Sequence, residues 1–397
     1  MNAPVVYLDN AATTWPKPEP VLAAVAAAMR EQGGNPGRAS HRLSVAAQQL
    51  VEDARLDVCR FFNAPSAERV VFTLNCTDAL CLVLKGLIQP GDRVVTGPFE
   101  HNSVARPLHS LRRAGATVTA CDATAAGRLD LDHFRHLCRQ GVDYVVTSHV
   151  SNVTGSMAPV AEIGAIAQEH GAYFILDAAQ SAGSVPIDMA GLGVDALAAP
   201  GHKGLCGPMG TGVLVLSENL PVAPFREGGS GIDSASDAHP LRYPWRLEGG
   251  TLNVPGIAGL RAGVRFVEGE GVRVVGERET ALARSLVEGL RAIDGVRVFA
   301  PQGRPETGVV SFRIDGVDTA LTGALLDESH GIAVRTGLHC APATHRAIGT
   351  FPEGTVRASL GPFNTEADVA ALVSAVREIA ARVGARRASG SVAPLLA

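Results

Sequence analysis

Long apolar runs are missing from this sequence of 397 residues. The longest early run, VLAAVAAAM, stops after nine residues at Arg30, where a membrane-spanning helix needs about 20. The start, MNAPVVYLDN, lacks a basic region followed by an apolar core, so no secretory signal is read there. A strong net charge is missing too. At a formal −4, the chain carries no field that would gather nucleic acid or an anionic membrane. The cysteines, seven and therefore odd in number, include no CxxC pair. That argues against a disulfide framework or a structural zinc site, and for the reducing cytoplasm. No internal repeat of fixed period is present. What the chain does have is 46% hydrophobic against 19% charged residues, enough to bury a substantial core in two or three domains. Its 44 glycines suit an enzyme with many tight strand-to-helix turns.

From about 69 to 217, short apolar runs alternate with helical patterns. The runs are RVVFT (69–73), RVVTG (93–97), YVVTSHV (144–150), YFILD (173–177), ALAA (196–199) and GVLVLS (212–217). Nearly continuous apolarity predicts strands buried on both faces of a mostly parallel sheet. Helical patterns between them, such as TDALCLVLKGLI and VAEIGAIAQEHG, give the alternation of a wound α/β sheet. Beyond about 255 the pattern changes. ETALARSLVEGLRAI places Leu282, Leu286, Leu290 and Ile293 on one helical stripe, and TEADVAALVSAVREIAARV does so with Val369, Leu372, Val376, Ile379 and Val383. Thr365 and Asp368 fit a capping-box start for the second helix. GVRVF, GVVSFRI and GIAVRTG read as strands. The expected division is a large α/β domain over 16–255, a smaller α+β domain from 1–15 with 256–385, and a frayed tail over 386–397.

Polar residues gather just beyond the strand ends. After RVVFT comes Asn75-Cys76-Thr77-Asp78, where free N–H groups and the Thr77 hydroxyl would suit a phosphate or would simply cap a helix. His101 follows RVVTG, and Asn152 follows YVVTSHV; either alone reads as a turn residue. Asp177 closes YFILD, with Gln180 just after it; an acid ending an apolar strand needs a partner, because burying an unpaired charge is costly. Lys203 lies in PGHKGLCGPMGTG, where tight backbone would hold it against something. Open α/β sheets bind ligands beyond the carboxyl ends of their strands. Pyridoxal 5'-phosphate accounts for the whole set: a lysine to bond it, an acid for its pyridine nitrogen, a phosphate cradle and a flat ring partner. Lys203, Asp177, the Thr77 turn and His101 supply these, and Asn152 and Gln180 could bond the ring hydroxyl. No metal site is expected.

YLDNAATTWPKP, NPGRASHRLS, SNVTGS, DAAQSAG, GHKGLCGPMGTG, EGGTLNVPGIAGL, RTGLHCAP and VRASLGPFNTEADV together resemble the class V aminotransferase family, of pyridoxal-phosphate transferase fold type I. The similarity is greatest to its cysteine desulfurase and selenocysteine lyase branch, and it runs in order from about residue 7 to 380. The resemblance implies that Lys203 carries the cofactor, Asp177 keeps its ring nitrogen protonated, and His101 stacks on the ring and shuttles protons. It implies that Thr77, Asp78 and His202 contact the phosphate. Thr251 would reach the phosphate of a neighbouring subunit, which implies a homodimer. Arg357 would grip the substrate carboxylate, with Arg335 and Asn152 helping to orient the substrate. Two positions depart from the pattern. Pro200 stands where relatives carry a hydroxyl for the phosphate, and Leu338 stands where members with this loop carry a second histidine.

The implied reaction takes sulfur from L-cysteine, leaves L-alanine and holds the sulfur on Cys340 as a persulfide for an acceptor protein. It needs an exposed, partly ionised thiol, and Arg335 and His339 are both expected to lower the Cys340 pKa. Selenocysteine lyase uses nearly the same site, with L-selenocysteine as substrate and a selenium acceptor. A C–S lyase or an aminotransferase acting on another amino acid would not need Cys340, and a non-catalytic sulfur-binding partner protein would not need Lys203. Cys59, Cys76, Cys81, Cys121, Cys138 and Cys206 read as small packing residues.

Overall fold

The structure, a computed structural model, describes residues 5–37 and 41–389. Its strands are β1 (Val6–Tyr7), β2 (Val70–Thr73), β3 (Arg93–Thr96), β4 (Thr117–Ala120), β5 (Tyr144–Ser148), β6 (Tyr173–Asp177), β7 (Ala196–Pro200), β8 (Gly212–Leu216), β9 (Val296–Phe299), β10 (Val309–Ile314), β11 (Ile332–Ala333), β12 (Arg335–Gly337) and β13 (Thr355–Ser359). Its helices are α1 (Glu19–Glu31), α2 (Arg42–Phe61), α3 (Cys76–Leu87), α4 (Asn102–Arg113), α5 (Leu131–Arg139), α6 (Val160–Glu169), α7 (Val254–Glu270), α8 (Val272–Arg291), α9 (Thr319–His330), α10 (Pro342–Ala347) and α11 (Glu366–Ser389). No helix among the described residues is long and apolar enough to cross a membrane.

Seven strands form one sheet in the order β2-β8-β7-β6-β5-β3-β4. Only β8 runs against its neighbours, β7 and β2; the other pairs are parallel. Side chains alternate across a strand, so one apolar run feeds two cores. On β6, Phe174 and Leu176 enter the core closed by α2, α6 and α7, while Ile175 enters the core closed by α3. This is why the strands read as unbroken apolar stretches. Arg55 of α2 ties the first core to its surroundings. Its guanidinium meets the Glu248 carboxylate at 2.5 and 2.9 Å, and Glu248 also accepts the Phe72 N–H at 2.6 Å. Both side chains are buried.

A second sheet, β12-β13-β10-β9, is antiparallel throughout. Leu282, Leu286, Leu290 and Ile293 cover it with Val369, Leu372, Val376 and Ile379, as their spacing predicts. The Asp368 carboxylate reaches back to the Thr365 N–H at 2.8 Å. The N-terminal segment belongs to this half of the chain: β1 pairs with β11 in parallel, and Leu8 lies in the same core.

Several elements differ from the sequence reading. GIAVRTG is not one strand; it breaks at Val334 into β11 and β12, which serve different sheets. β4, a half-exposed edge strand, lacks the apolar run that marks the others. β13 reads poorly as a strand because its centre is Arg357. At the C-terminus α11 continues through 386–389, where a tail is expected; residues 390–397 lie outside the described residues, as do 38–40 of the NPGRASHRLS motif.

Candidate active site

The strand ends deliver their polar residues to one cavity. Asn75, Cys76, Thr77, His101, Ser103, Ser148, Asn152, Asp177, Gln180, Pro200, His202 and Lys203 line it. Lys203 sits on a turn packed tightly against Ala182 and Gly183: a Cβ on either Gly183 or Gly204 would run into the facing backbone. The NAATTWPK segment fastens this turn from outside. Thr14 Oγ1 donates to Lys203 O at 2.7 Å, and Thr13 Oγ1 and Lys17 Nζ donate to His202 O at 3.0 and 2.8 Å. Lys203 is partly buried and lines the cavity, and burial pushes its pKa down, against the pull of Cys76 and Asp177.

Asp177 is 3% exposed. Burial pushes its pKa up; the Ala179 N–H at 2.9 Å and the charge of Lys203 work the other way. A chain of hydroxyls orients His101. Thr77 Oγ1 lies 2.6 Å from Ser103 Oγ, which lies 2.9 Å from His101 Nδ1. His101 Nδ1 also accepts the Ser103 N–H at 3.1 Å and so caps α4. With Nδ1 accepting, the ring proton sits on Nε2. Burial, then Lys203, Arg335 and Arg357, push the His101 pKa down to about 4, leaving a neutral ring at pH 7. Of the residues that line the cavity, two have a buried atom without a partner among the described residues, Asn152 Oδ1 and His202 Nδ1. The set of an enclosed amine, a buried carboxyl, a neutral flat ring and unpaired polar atoms fits pyridoxal phosphate. The Gln180 amide holds Ala11 O at 3.0 Å from the same rim.

Cys340 lies on the turn between β12 and α10, exposed, with Arg335 Nη2 3.6 Å from its sulfur. His339 and Cys340 have φ of 48° and 58°, a left-handed region that costs a non-glycine residue about 1–2 kcal/mol. Two hydrogen bonds from the other half of the chain hold the turn. Asn152 Nδ2 donates to His339 O at 2.7 Å, and the Asn102 N–H donates to Cys340 O at 2.8 Å. Asn102 directly follows His101, so the thiol loop is tied to the rim of the cavity.

Some residues stand elsewhere than expected. His339 does not assist the Cys340 thiol: it is 2% exposed and bonds Thr355 Oγ1 at 3.1 Å. Burial and the Arg357 charge push its pKa far down, so it brings no positive charge. Asp78 is not at the cavity. Its carboxylate takes the Leu74 N–H at 3.0 Å and Arg226 at 3.2 Å, and its N–H is held by the capping Asn75. Arg357 is 0% exposed; it donates to Asp9 Oδ1 at 2.7 Å and to Asn152 O at 3.0 Å. Arg335 lies directly across from it in the β12/β13 register and remains partly exposed. Thr251 is exposed, in a separate pocket with Arg226 and Asn253. Pro200 brings an apolar ring to the cavity. Cys76, read as packing, lines the cavity too, with its sulfur 3.5 Å from Asp177 Oδ1.

This fold and cavity define a class of protein that comparison with known families makes explicit. The chain belongs to the class V aminotransferase family, whose model matches residues 6–372; its members are pyridoxal-phosphate-dependent enzymes. Among its relatives, a probable cysteine desulfurase of Methanothermobacter thermautotrophicus is 36% identical over 94% of both chains. The probable cysteine desulfurase 2 of Mycobacterium leprae is 38% identical over 94% of this chain and 91% of its own. Among solved structures, the apo cysteine desulfurase of Thermococcus onnurineus superposes with a TM-score of 0.90 at 36% identity, covering 95% of each chain. The Escherichia coli cysteine desulfurase CsdA gives 0.85 at 31% identity, covering 96% of this chain and 95% of its own.

Proposed function

We propose that this chain is a pyridoxal-phosphate-dependent cysteine desulfurase, converting L-cysteine and the Cys340 thiol into L-alanine and a Cys340 persulfide. The observation that carries the reading is an exposed thiol beside Arg335, on a loop tied to the rim of the cavity that holds Lys203, Asp177 and His101. Lys203, Asp177, Gln180, His101, Asn152, Thr77 and His202 would hold the cofactor, joined by Thr251 of the partner subunit in a homodimer. Bound there, the cofactor supplies an electron sink that loosens first the Cα proton and then the Cβ–S bond.

The protein's own groups do the rest. Lys203 Nζ, its pKa lowered by burial, takes and returns the Cα proton. Asp177 would keep a proton at the ring nitrogen of the bound cofactor. Neutral His101, which lines the cavity, would lie against the ring of the bound cofactor and pass its Nε2 proton. Arg335, which is partly exposed, would meet the substrate carboxylate, with Arg357 behind it on the neighbouring strand, buried and held by Asp9. Cys340 attacks the substrate sulfur. The Cβ–S bond breaks, an S–S bond forms, Cβ gains a proton and is reduced, and the two sulfurs are oxidised together. We take residues 16–255 as the cofactor domain, 1–15 with 256–385 as the smaller domain, the cytoplasm as the setting and an acceptor protein as the destination of the sulfur.

Incubation with L-cysteine, followed by mass spectrometry of intact protein and products, tests this. The expected result is one added sulfur on Cys340 together with alanine, both lost in Cys340→Ser. Alanine at an unchanged rate from Cys340→Ser, or pyruvate in its place, overturns the reading. Parallel turnover of L-selenocysteine separates the selenocysteine lyase alternative.

A further inference from the structure

Cys76 is the one thiol besides Cys340 that the fold brings to this site, and the reaction above does not use it. It opens α3 directly after the capping Asn75. It is 7% exposed and lines the cavity beside Lys203, Asp177 and His101. Its sulfur lies 3.5 Å from Asp177 Oδ1, and that same oxygen accepts the Ala179 N–H at 2.9 Å. Burial, reinforced by the negative Asp177, pushes the thiol pKa well up. The group is therefore a protonated donor and a poor nucleophile. Its apolar side meets the core with Ala79 and Leu80, which accounts for its small size but not for a sulfur turned toward a carboxylate.

We propose that Cys76 is a positioning residue for Asp177: its S–H holds Oδ1 and, with the Ala179 N–H, fixes the direction in which the carboxylate faces a ring nitrogen. This rests on the cofactor reading above. An apolar residue at position 76 leaves Asp177 one donor short in a buried place. Serine restores a donor. A packing role ranks the variants the other way, since alanine suits an apolar contact better than a buried hydroxyl.

The test uses full-length protein stripped of cofactor and titrated with pyridoxal phosphate. In the wild type, borohydride reduction followed by peptide mapping must place the adduct on Lys203; failure there removes the cofactor reading itself, and this inference with it. Given that adduct, Cys76→Ala is expected to bind about fivefold more weakly, the effect of losing one hydrogen bond. The pH at which its visible absorbance changes is expected to move. Cys76→Ser is expected to match the wild type on both. Should Cys76→Ala not fold, Cys76→Val, which fills the space without a donor, takes its place. Binding and absorbance profiles that are unchanged without the donor, or a serine variant worse than the alanine one, overturn the proposal and leave the cofactor reading standing.

Discussion

Asn102→Pro isolates the tie between the thiol loop and the cavity. Asn102 is the first residue of α4, a position where proline is favoured because the N–H has no helical partner to lose. The residue before it, His101, has φ −68° and ψ 156°, the extended backbone that a following proline demands. Helix, cap and ring are thus left intact. The loss falls on one contact, the Asn102 N–H to Cys340 O at 2.8 Å. Proline removes the donor and puts its Cδ in the place of the hydrogen, against that oxygen, so the loop must back away. The two left-handed residues then lose one of the two bonds that reach them from the other half of the chain. A displacement of about 1 Å at a reacting atom can cost about 100-fold in rate. We expect alanine formation from L-cysteine to fall by about that factor, while pyridoxal phosphate binding and Tm stay near wild type. Steady-state alanine release and a cofactor titration read the two sides. Activity within about threefold of wild type would refute the claim that this tie sets the thiol's position.

Two further outcomes concern stability. Arg55→Met strands Glu248 in the core and is expected to cost about 3–5 kcal/mol in denaturant unfolding; a loss below about 1 kcal/mol, the level of an exposed pair, contradicts the assignment of a buried pair. Glu279, 8% exposed, has its pKa raised by burial from 4.5 to about 8. Between those values the unfolded chain holds fewer protons than the folded one, so stability falls as pH rises and levels off above about pH 8. Glu279→Gln is expected to remove that slope and to add up to about 3 kcal/mol at pH 7, measured by unfolding midpoints across the range. An unchanged slope rules it out.

The central sheet was legible because both of its faces are buried, so β2, β3, β5, β6, β7 and β8 each announce themselves as apolar runs. β4 was not, since its side chains are mostly exposed and it carries no such run, and β13 was not, since its buried arginine reads as a surface residue. The site was legible where residues follow strand ends: Lys203, Asp177, His101 and Asn152 all meet at one cavity. Contacts across great sequence distance were not. Nothing local links Cys76 to Asp177, 101 residues on, or Asp9 to Arg357, 348 residues on. His339 was misread for a related reason: adjacency to Cys340 says nothing of which way a ring turns on a left-handed backbone.

The Asp9–Arg357 pair and the pairing of Val6 with Ile332 also fix an order of events during synthesis. Val6 and Asp9 are made before Ile332 and Arg357, and their pairings form only after those partners have emerged. At about 5–20 residues per second, the wait is roughly 20–70 s on the ribosome. Through that time Val6, Tyr7 and Leu8 lack the sheet and the core that they enter in the finished fold. The cavity's lining, from Asn75 to Lys203, is made before those late partners exist, so the Asp9–Arg357 pair is a contact added to a central sheet already in place.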